Sequence, residues 1–587
     1  MEKKMKVCQK CIYRNEKSDT YCNLCSLKKG DAEDRLAALR DLLEMLEGLN
    51  FDDDTDEYDG YDGDDDDDYD DDYDDDDDDD SDSEVAPSPA TLVRVSESWL
   101  RNWRSAADDP AYQKHGIILT NTENCSEEHK EEFLYSVHRF MSHKAKEKVK
   151  YCFLDLADSY TVTRPYDVAL NDLELAVNVL RRVNEAHPID YLLILGDRDA
   201  IASARWENGA CDDDKYVDSD VPYVFLETRS LFDGKPASCS IRVGRVPAAS
   251  STGFLTARRY MENVIKLHKT RRDLNALTLS AEEWGNVTRH VYSGLSPYAY
   301  NCPPYSFVEG VGDYNISKTY PYDLLCFNLH GAPVHNTWVS GSGTAGINPS
   351  SLPTSPDKLY VLGSEACYGA KPVIKKTASQ SMLITALRNR CLGFLGSTQI
   401  AYGIPDSMLA IGCKPMCADI MVGKFANMVY DGYCLGDAYM EAWRAVSSSH
   451  GKDLENVKTL CSFALYGDPT ATLAEKGQME ISKTAASKLR KPEVDLSSKM
   501  EKIDLNNIPL LAVNSFVRNN ISGSYSLTPS VYRVSSEANS STTLISYTHK
   551  SSKEYRATYT KTENNINNIL HVYFNEDGRI IRAYVSK

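Results

Sequence analysis

Two stretches near the middle of the chain decide the fold class: LLCFNL at 324–329 runs into His330–Gly331, and LYVLG at 359–363 runs through Ser-Glu-Ala into Cys367. Both are short and continuously apolar, which is typical of strands buried on both faces of a parallel sheet. Six more stretches share this character: GIILT (116–120), YCFLDL (151–156), YLLIL (191–195), SIRVG (240–244), ALTLS (276–280) and LGFLG (392–396). Helical patterns separate them at 127–147, 168–186, 252–269, 377–391 and 421–447. The alternation predicts an α/β fold, with a mostly parallel sheet covered by helices on both faces.

Charge is concentrated in one segment of the 587-residue chain. The formal net charge is −22, yet residues 52–84 hold 24 Asp or Glu and no Lys or Arg, so the other 554 residues carry −22 + 24 = +2. A nearly neutral remainder argues against a broad nucleic-acid-binding surface. The acidic run has two interpretations: it binds a basic regulatory partner or shields a cleft, or it is a solvated spacer.

The start of the chain indicates where the protein works. No apolar run approaches the ~18 residues of a membrane span, and MEKKMKVCQKC has no apolar signal region. Sixteen cysteines without an export signal are unlikely to form a disulfide framework. These features predict a cytoplasmic protein with reduced thiols and no membrane partner.

Four of those cysteines form two pairs, Cys8-x2-Cys11 and Cys22-x2-Cys25. Two such pairs can converge on one tetrahedral ion, and four thiolates are a preferred ligand set for structural zinc. About 30 residues cannot bury enough core alone, so the ion would supply the folding energy. The alternative is unliganded or redox-active cysteines. With no basic and aromatic surface beside it, this ribbon is predicted to dock a protein partner or to be structural.

Composition and pattern together predict six regions. These are a zinc ribbon at 1–30, a short amphipathic helix at 31–50, a disordered acidic linker at 51–96, a first α/β subdomain at 97–250, a catalytic α/β subdomain at 251–480, and a small β-rich C-terminal domain at 495–587. In the last region, strands are predicted at 542–549, 554–561, 569–575 and 579–587, with a hairpin turn at Asn575–Gly578.

Cys367 and His330 are the candidate catalytic pair. In parallel α/β sheets, functional residues lie at the carboxyl ends of strands, and both residues follow predicted strands. A Cys and a His on adjoining loops can act as nucleophile and proton carrier. The amides of Gly331 and Cys367 could serve as an oxyanion hole. Taken singly, each side chain could equally be core filler.

Seven motifs in chain order resemble the gingipain-type cysteine peptidases of the caspase-like clan, over roughly residues 150–475. They are YLLILGD (191–197), SDVPYVFLE (219–227) followed by IRVGRVPA (241–248), LSAEE (279–283), LHGAPVHNTW (329–338), SEACYGA (364–370), LGSTQIAYGIPD (395–406) and LYGDPTATL (465–473). The resemblance implies a caspase-like α/β/α sandwich in two subdomains and a cysteine endopeptidase acting on protein or peptide substrates.

The resemblance also implies roles for single residues. Cys367 would be the nucleophile and His330 the proton carrier, with Glu282 orienting that histidine. Tyr402 falls where the family places an aromatic wall of the pocket for the residue before the cut, and its other interpretation is core packing.

The chain departs from the family in two respects. Arg-specific relatives carry an Asp downstream of the Glu, whereas WGNVTRHVYSG (284–294) has no acid. An acidic loop with Asp212–Asp214, Asp218 and Asp220 could replace it, bind calcium, or simply be solvated. Those relatives are secreted, whereas this chain begins with a predicted zinc ribbon, which favours regulation by the terminal regions. The alternative function is a catalytically inactive scaffold that binds partners through the ribbon and the acidic run.

Overall fold

The computed structural model describes residues 93–587, apart from 124, 165–167, 211, 229–236, 249–253, 272, 296–304, 310–321, 334–335, 341–344, 355–356, 373–380, 451–452, 475–500, 503–509, 522–524, 526–528, 535–553 and 564–565. The predicted zinc ribbon, the short helix, residues 51–92 of the acidic linker and the strand 542–549 lie outside the described residues. Arg94–Val95, at the end of the stretch predicted to be disordered, form a short strand. Val93–Lys587 forms one compact unit.

The strands are numbered in chain order. The first eleven are β1 (Arg94–Val95), β2 (Lys114–Thr120), β3 (Val149–Asp155), β4 (Val162–Thr163), β5 (Tyr191–Leu195), β6 (Ala204–Glu207), β7 (Tyr216–Ser219), β8 (Arg242–Val246), β9 (Ala276–Ser280), β10 (Tyr305–Glu309) and β11 (Leu324–Asn328). The others are β12 (Trp338–Val339), β13 (Ala345–Ile347), β14 (Tyr360–Ser364), β15 (Cys391–Ser397), β16 (Tyr402–Gly403), β17 (Phe463–Gly467), β18 (Glu501–Lys502), β19 (Ser530–Val534), β20 (Glu554–Glu563), β21 (Ile566–Asn575) and β22 (Ile580–Ser586).

The α-helices span Glu97–Ala107, Glu127–Lys146, Leu173–Ala186, Val221–Phe225, Leu255–Leu267, Gly285–Val291, Met382–Arg388, Asp406–Ala410, Ala418–Tyr430, Leu435–His450, Leu454–Ser462 and Leu510–Asn520. Short 3₁₀ turns lie at Glu282–Trp284, Ser293–Leu295 and Pro349–Ser351. None of these helices is both long and apolar enough to cross a membrane.

A ten-stranded sheet forms the core, in the order β10-β9-β11-β14-β15-β17-β8-β5-β2-β3. All eight strands predicted from apolar stretches belong to it, and the α/β fold class is confirmed. The strands β5, β8, β9, β11, β14 and β15 are buried at every position, which explains their continuous apolar sequences. β17 runs antiparallel to β15, so the sheet is dominated by parallel pairs without being wholly parallel.

The sheet joins the two predicted subdomains. The stretch 97–250 supplies β2, β3, β5 and β8, and the stretch 251–480 supplies the other six strands. The carboxyl ends of the two groups are linked, because Thr398, just after β15, donates a hydrogen bond to the carbonyl of Asp218 in β7, which lies in the segment between β5 and β8. Side chains from both halves can therefore meet at one edge.

One helix predicted from the sequence is two separate helices in the structure. The pattern over 421–447 predicts one helix, but Ala418–Tyr430 ends at a turn in which Gly432 has a φ of 95°, and Leu435–His450 begins after it. The left-handed conformation favours glycine because it has no Cβ, and it stops the first helix. The apolar periodicity continues across the turn because both helices pack on the same core.

The C-terminal residues build a second sheet, in the order β16-β22-β21-β20-β19-β18. The predicted turn at Asn575–Gly578 joins β21 to β22, with the amide of Gly578 bonded to the carbonyl of Asn575. This sheet is not separate from the α/β part, because β16 belongs to the loop after β15 and pairs antiparallel with β22. The last residues of the chain therefore run beside Cys367.

Candidate active site

Cys367 lies just beyond the end of β14, where the chain turns sharply. The next residue, Tyr368, has a left-handed φ of 54°. Its amide bonds to the carbonyl of Gln399, and the amide of Ala370 bonds to that of Ser397, so the loop is tied to the segment after β15. The thiol of Cys367 is buried and accepts a hydrogen bond of 3.3 Å from the amide of Ala401. Burial raises the pKa of this thiol to about 12.

His330 follows β11 on the neighbouring strand. Its backbone pairs in both directions with Val339, which fixes the loop. The ring packs against Trp284, with centroids 4.4 Å apart, and its Nε2 lies 2.5 Å from a carboxylate oxygen of Glu283. Within the described part of the chain, the other ring nitrogen, Nδ1, is buried and has no hydrogen-bond partner. One nitrogen is thus oriented by a carboxylate, and the other is available to a reacting group.

The carboxylate that orients His330 is not the one expected. The resemblance pointed to Glu282, but that side chain is exposed and its neighbour Glu283 makes the contact. Both lie in the 3₁₀ turn Glu282–Trp284, where consecutive side chains point about 120° apart, so only one can face the histidine. Burial acts to raise the pKa of Glu283, but the hydrogen bond and charge of His330 outweigh it and lower that pKa.

The adjacent residues Glu283 and Glu282 provide a matched pair of variants. We expect Glu283→Gln to lower kcat/KM for peptide cleavage by about 10²-fold, because the imidazole loses the carboxylate that orients it. Glu282→Gln should stay within about twofold of wild type, since its carboxylate is exposed. The rates should be compared at equal thermal stability, and equal losses in both variants would refute the assignment.

The loops of His330 and Cys367 are in direct contact. A Cβ on Gly331 would lie 1.9 Å from the carbonyl oxygen of Cys367, so only glycine allows this approach. No hydrogen bond joins the thiol to His330 among the residues described. Gly331, Pro333, Cys367 and Tyr368 help to line an adjoining cavity of about 410 Å³. The cavity leaves space for a substrate group beside Cys367.

A main-chain oxygen of Lys587, the residue that follows β22, is bound at Cys367. The amide of Cys367 donates a hydrogen bond of 2.7 Å to the carbonyl oxygen of Lys587, the last residue of the sequence. The amide of Lys587 bonds to the carbonyl of Ala401 at 3.0 Å, which continues the antiparallel pairing of β16 with β22. The candidate oxyanion donor of Cys367 therefore already holds a main-chain oxygen at the end of an extended strand.

The side chain of Lys587 fills a closed pocket. Its ammonium bonds to Asn328 at 2.9 Å and to carboxylate oxygens of Glu365 and Asp419. All four side chains are buried. The ring of Trp284 lies beneath the ammonium, 5.0 Å from its centroid. None of the residues around this ammonium was a candidate site residue from the sequence: Asn328, Glu365, Asp419 and Trp284.

Tyr402 does not form an aromatic wall of this pocket. Its backbone pairs with Ser586, but its hydroxyl donates to Asp212 at 2.6 Å, and its ring packs against His571, with centroids 5.3 Å apart. The core-packing interpretation fits this geometry. Trp284 is the aromatic residue at the lysine side chain.

The predicted acidic loop is not simply solvated. The carboxylates of Asp212 and Asp214 are buried and share the ammonium of Lys458, at 2.7 and 2.6 Å. Asp214 also accepts a hydrogen bond from the hydroxyl of Tyr368, beside Cys367. We call Asp212, Asp214 and Lys458 the buried ion cluster. Because Lys458 bridges both carboxylates and Asp214 also holds Tyr368, the cluster braces the nucleophile loop. Calcium binding stays a prediction.

Comparisons with known proteins add little. No family model matches the chain, and no curated protein matches it. A solved structure titled "Structure of Protease" is 9% identical, with a TM-score of 0.45, over 82% of this chain and 99% of that one. The function is therefore inferred from the geometry around Cys367 and His330. The zinc ligands Cys8, Cys11, Cys22 and Cys25 lie outside the described residues, so the zinc site stays a prediction.

Proposed function

We propose that this protein is a cysteine endopeptidase in which Cys367 is the nucleophile and His330 the proton carrier. The observation that carries the proposal is the 2.7 Å hydrogen bond from the amide of Cys367 to the main-chain carbonyl oxygen of Lys587. A carbonyl at this amide lies beside the thiol of the same residue. Attack by that thiol would place the developing negative charge on an oxygen already facing a donor.

The reaction follows from these positions. His330 takes the thiol proton of Cys367, and the thiolate attacks the carbonyl carbon of the substrate. The amide of Cys367 stabilises the resulting oxyanion. His330 then gives the proton to the departing amine, which leaves a thioester on Cys367. A water molecule, deprotonated by His330, attacks the thioester and releases the carboxylate product with the thiol restored.

The state of the thiol fits a site that holds a peptide. Burial raises the pKa of Cys367 to about 12, so the thiol is protonated while the C-terminal strand covers it. His330 has to accept that proton during attack, and its Nδ1 has no other hydrogen-bond partner among the described residues. A scaffold protein needs neither this nitrogen nor a donor aimed at a peptide carbonyl.

A peptide-library digestion tests the proposal. The full chain and a variant lacking Ser586 and Lys587 are incubated with the library, and new termini are identified by mass spectrometry. We expect cleavage at internal peptide bonds, faster for the shortened variant. Intact libraries with both folded proteins would contradict the proposed function.

The terminal regions keep the roles predicted from sequence. We propose that Cys8, Cys11, Cys22 and Cys25 hold one structural zinc ion, because their spacing suits a four-thiolate site. Docking of a regulatory protein at the ribbon or at residues 52–84 is part of the same proposal.

A further inference from the structure

We propose that Asn328, Glu365 and Asp419 form a pocket that selects lysine before the scissile bond, and that the chain's own C-terminal strand occupies this site in cis. The inference rests on the proposed function for the meaning of "scissile bond". The pocket and its occupant are defined by contacts alone. The three pocket residues come from the α/β part of the chain, and the occupant comes from β22 and Lys587.

The number of acceptors matches an ammonium group. Lysine carries three N–H donors on Nζ, and Lys587 meets three acceptors: an amide oxygen of Asn328 and one carboxylate oxygen each of Glu365 and Asp419. The guanidinium of arginine is planar and larger, so it cannot direct its donors at three acceptors around one nitrogen. We infer that the pocket prefers lysine to arginine.

The acceptors are held in place without help from the occupant. Glu365 accepts a hydrogen bond of 2.7 Å from Tyr292, and the second carboxylate oxygen of Asp419 accepts one of 2.9 Å from the amide of Ile404. The amide nitrogen of Asn328 donates to Thr288 at 2.9 Å. A pocket with two buried carboxylates is costly when empty, because buried charge needs a counter-charge. The pocket is therefore suited to binding a cation.

The wall of the pocket leaves space for the lysine stem. A Cβ on Gly403 would lie 2.1 Å from Cε of Lys587 and 2.6 Å from its Nζ. Any other residue at position 403 would fill the passage beside the strand. The backbone of Gly403 also pairs with Val585, so the same residue aligns the bound peptide and admits its side chain.

The occupant is bound as an added strand. Val585 and Ser586 pair antiparallel with Gly403 and Tyr402, and the amide of Lys587 bonds to Ala401. Peptides commonly bind at an exposed strand edge in this way, with main-chain hydrogen bonds for affinity and a side-chain pocket for specificity. A substrate must displace these last residues, so their presence lowers the activity of the intact chain.

The test compares three proteins with three substrates. The proteins are the wild type, Lys587→Ala, and the control Arg579→Ala, whose exposed basic side chain lies at the turn between β21 and β22, outside the pocket. The substrates are fluorogenic amides of the sequence 582–587, ending in lysine, arginine or alanine. If Lys587→Ala does not fold, Lys587→Met and the variant lacking Ser586 and Lys587 replace it.

We expect Lys587→Ala to cleave the lysyl substrate at least about tenfold faster than wild type or Arg579→Ala, because the anchor of the competing strand is gone. Cleavage after lysine should exceed cleavage after alanine by about 10³-fold, since alanine leaves the buried acceptors unpaired. It should exceed cleavage after arginine by about tenfold or more. Equal rates for wild type and Lys587→Ala would overturn occupancy in cis, and equal rates for lysyl and alanyl substrates would overturn the lysine pocket.

A binding measurement separates this inference from the proposed function. A fluorescent peptide of residues 582–587 is titrated with Lys587→Ala, beside the same peptide ending in alanine. Selective binding of the lysyl peptide without any cleavage would support the pocket and refute the peptidase. Cleavage of the library without lysine selectivity in rate or binding would support the peptidase and refute the pocket.

Discussion

Cys367→Ala should lower kcat/KM for peptide cleavage by about 10⁴-fold or more, and His330→Ala should cost a similar factor. Members of a catalytic unit are not additive, because removing either the nucleophile or its proton carrier disables the same step. The residual rate would come from the oxyanion donor and from peptide binding. The double variant should therefore be little slower than either single variant.

The control for this prediction is Cys413→Ala. Cys413 is a free, partly exposed cysteine between the helices Asp406–Ala410 and Ala418–Tyr430. Its removal should leave the rate within about twofold of wild type, as is usual for surface substitutions. Near-wild-type turnover by purified Cys367→Ala would show that another residue is the nucleophile.

The second large effect concerns stability. Lys458→Met should lower the free energy of unfolding by about 3–5 kcal/mol, because it leaves two buried carboxylates of the buried ion cluster without a counter-ion. The control is Arg182→Met, whose ion pair with Glu185 is exposed and should contribute within about 0.5 kcal/mol. Urea unfolding of the three proteins measures the differences. Equal stability of Lys458→Met and wild type would contradict the role of the cluster.

The pH dependence of this difference has a definite sign. Burial acts to raise the pKa of Asp212, but the charge of Lys458 outweighs it and lowers that pKa. The stabilisation is therefore present above the unfolded-state pKa of the carboxyl group and is lost as pH falls through the folded-state value. In Lys458→Met the counter-charge is lost while burial remains, so the pKa of Asp212 rises relative to wild type and protonation relieves the variant at low pH. The gap between wild type and variant should be largest at neutral pH and should narrow toward pH 4.

The proposed catalytic pair could be picked out from the sequence because strand ends have a simple signature. Cys367 and His330 each follow a continuously apolar stretch, and parallel strands place such positions at one edge of the sheet. The same logic does not extend to a 3₁₀ turn, where a shift of one residue changes which side chain faces inward. Glu282 was implied only by the family resemblance, and the structure brings its neighbour Glu283 to the histidine.

The lysine pocket could not be predicted from sequence. Asn328 ends β11, Glu365 follows β14, and Asp419 lies in the first turn of Ala418–Tyr430, so the three converge only in the folded chain. Their common ligand, Lys587, is 168 residues or more away in sequence. The buried ion cluster has the same character, because Asp212 meets Lys458 across 246 residues. From sequence alone, Asp212 and Asp214 resemble a solvated acidic loop, because their counter-ion, Lys458, is distant in the chain.

The role of Cys367 as the nucleophile is tested most directly by identifying the residue that a peptide electrophile modifies. The variant lacking Ser586 and Lys587 is treated with an acyloxymethyl ketone built on the sequence 582–587, then digested and analysed by mass spectrometry. We expect a single adduct on Cys367, which is lost in the His330→Ala variant of the same protein. An adduct on another cysteine with Cys367 unmodified, in a preparation that cleaves peptides, would contradict it.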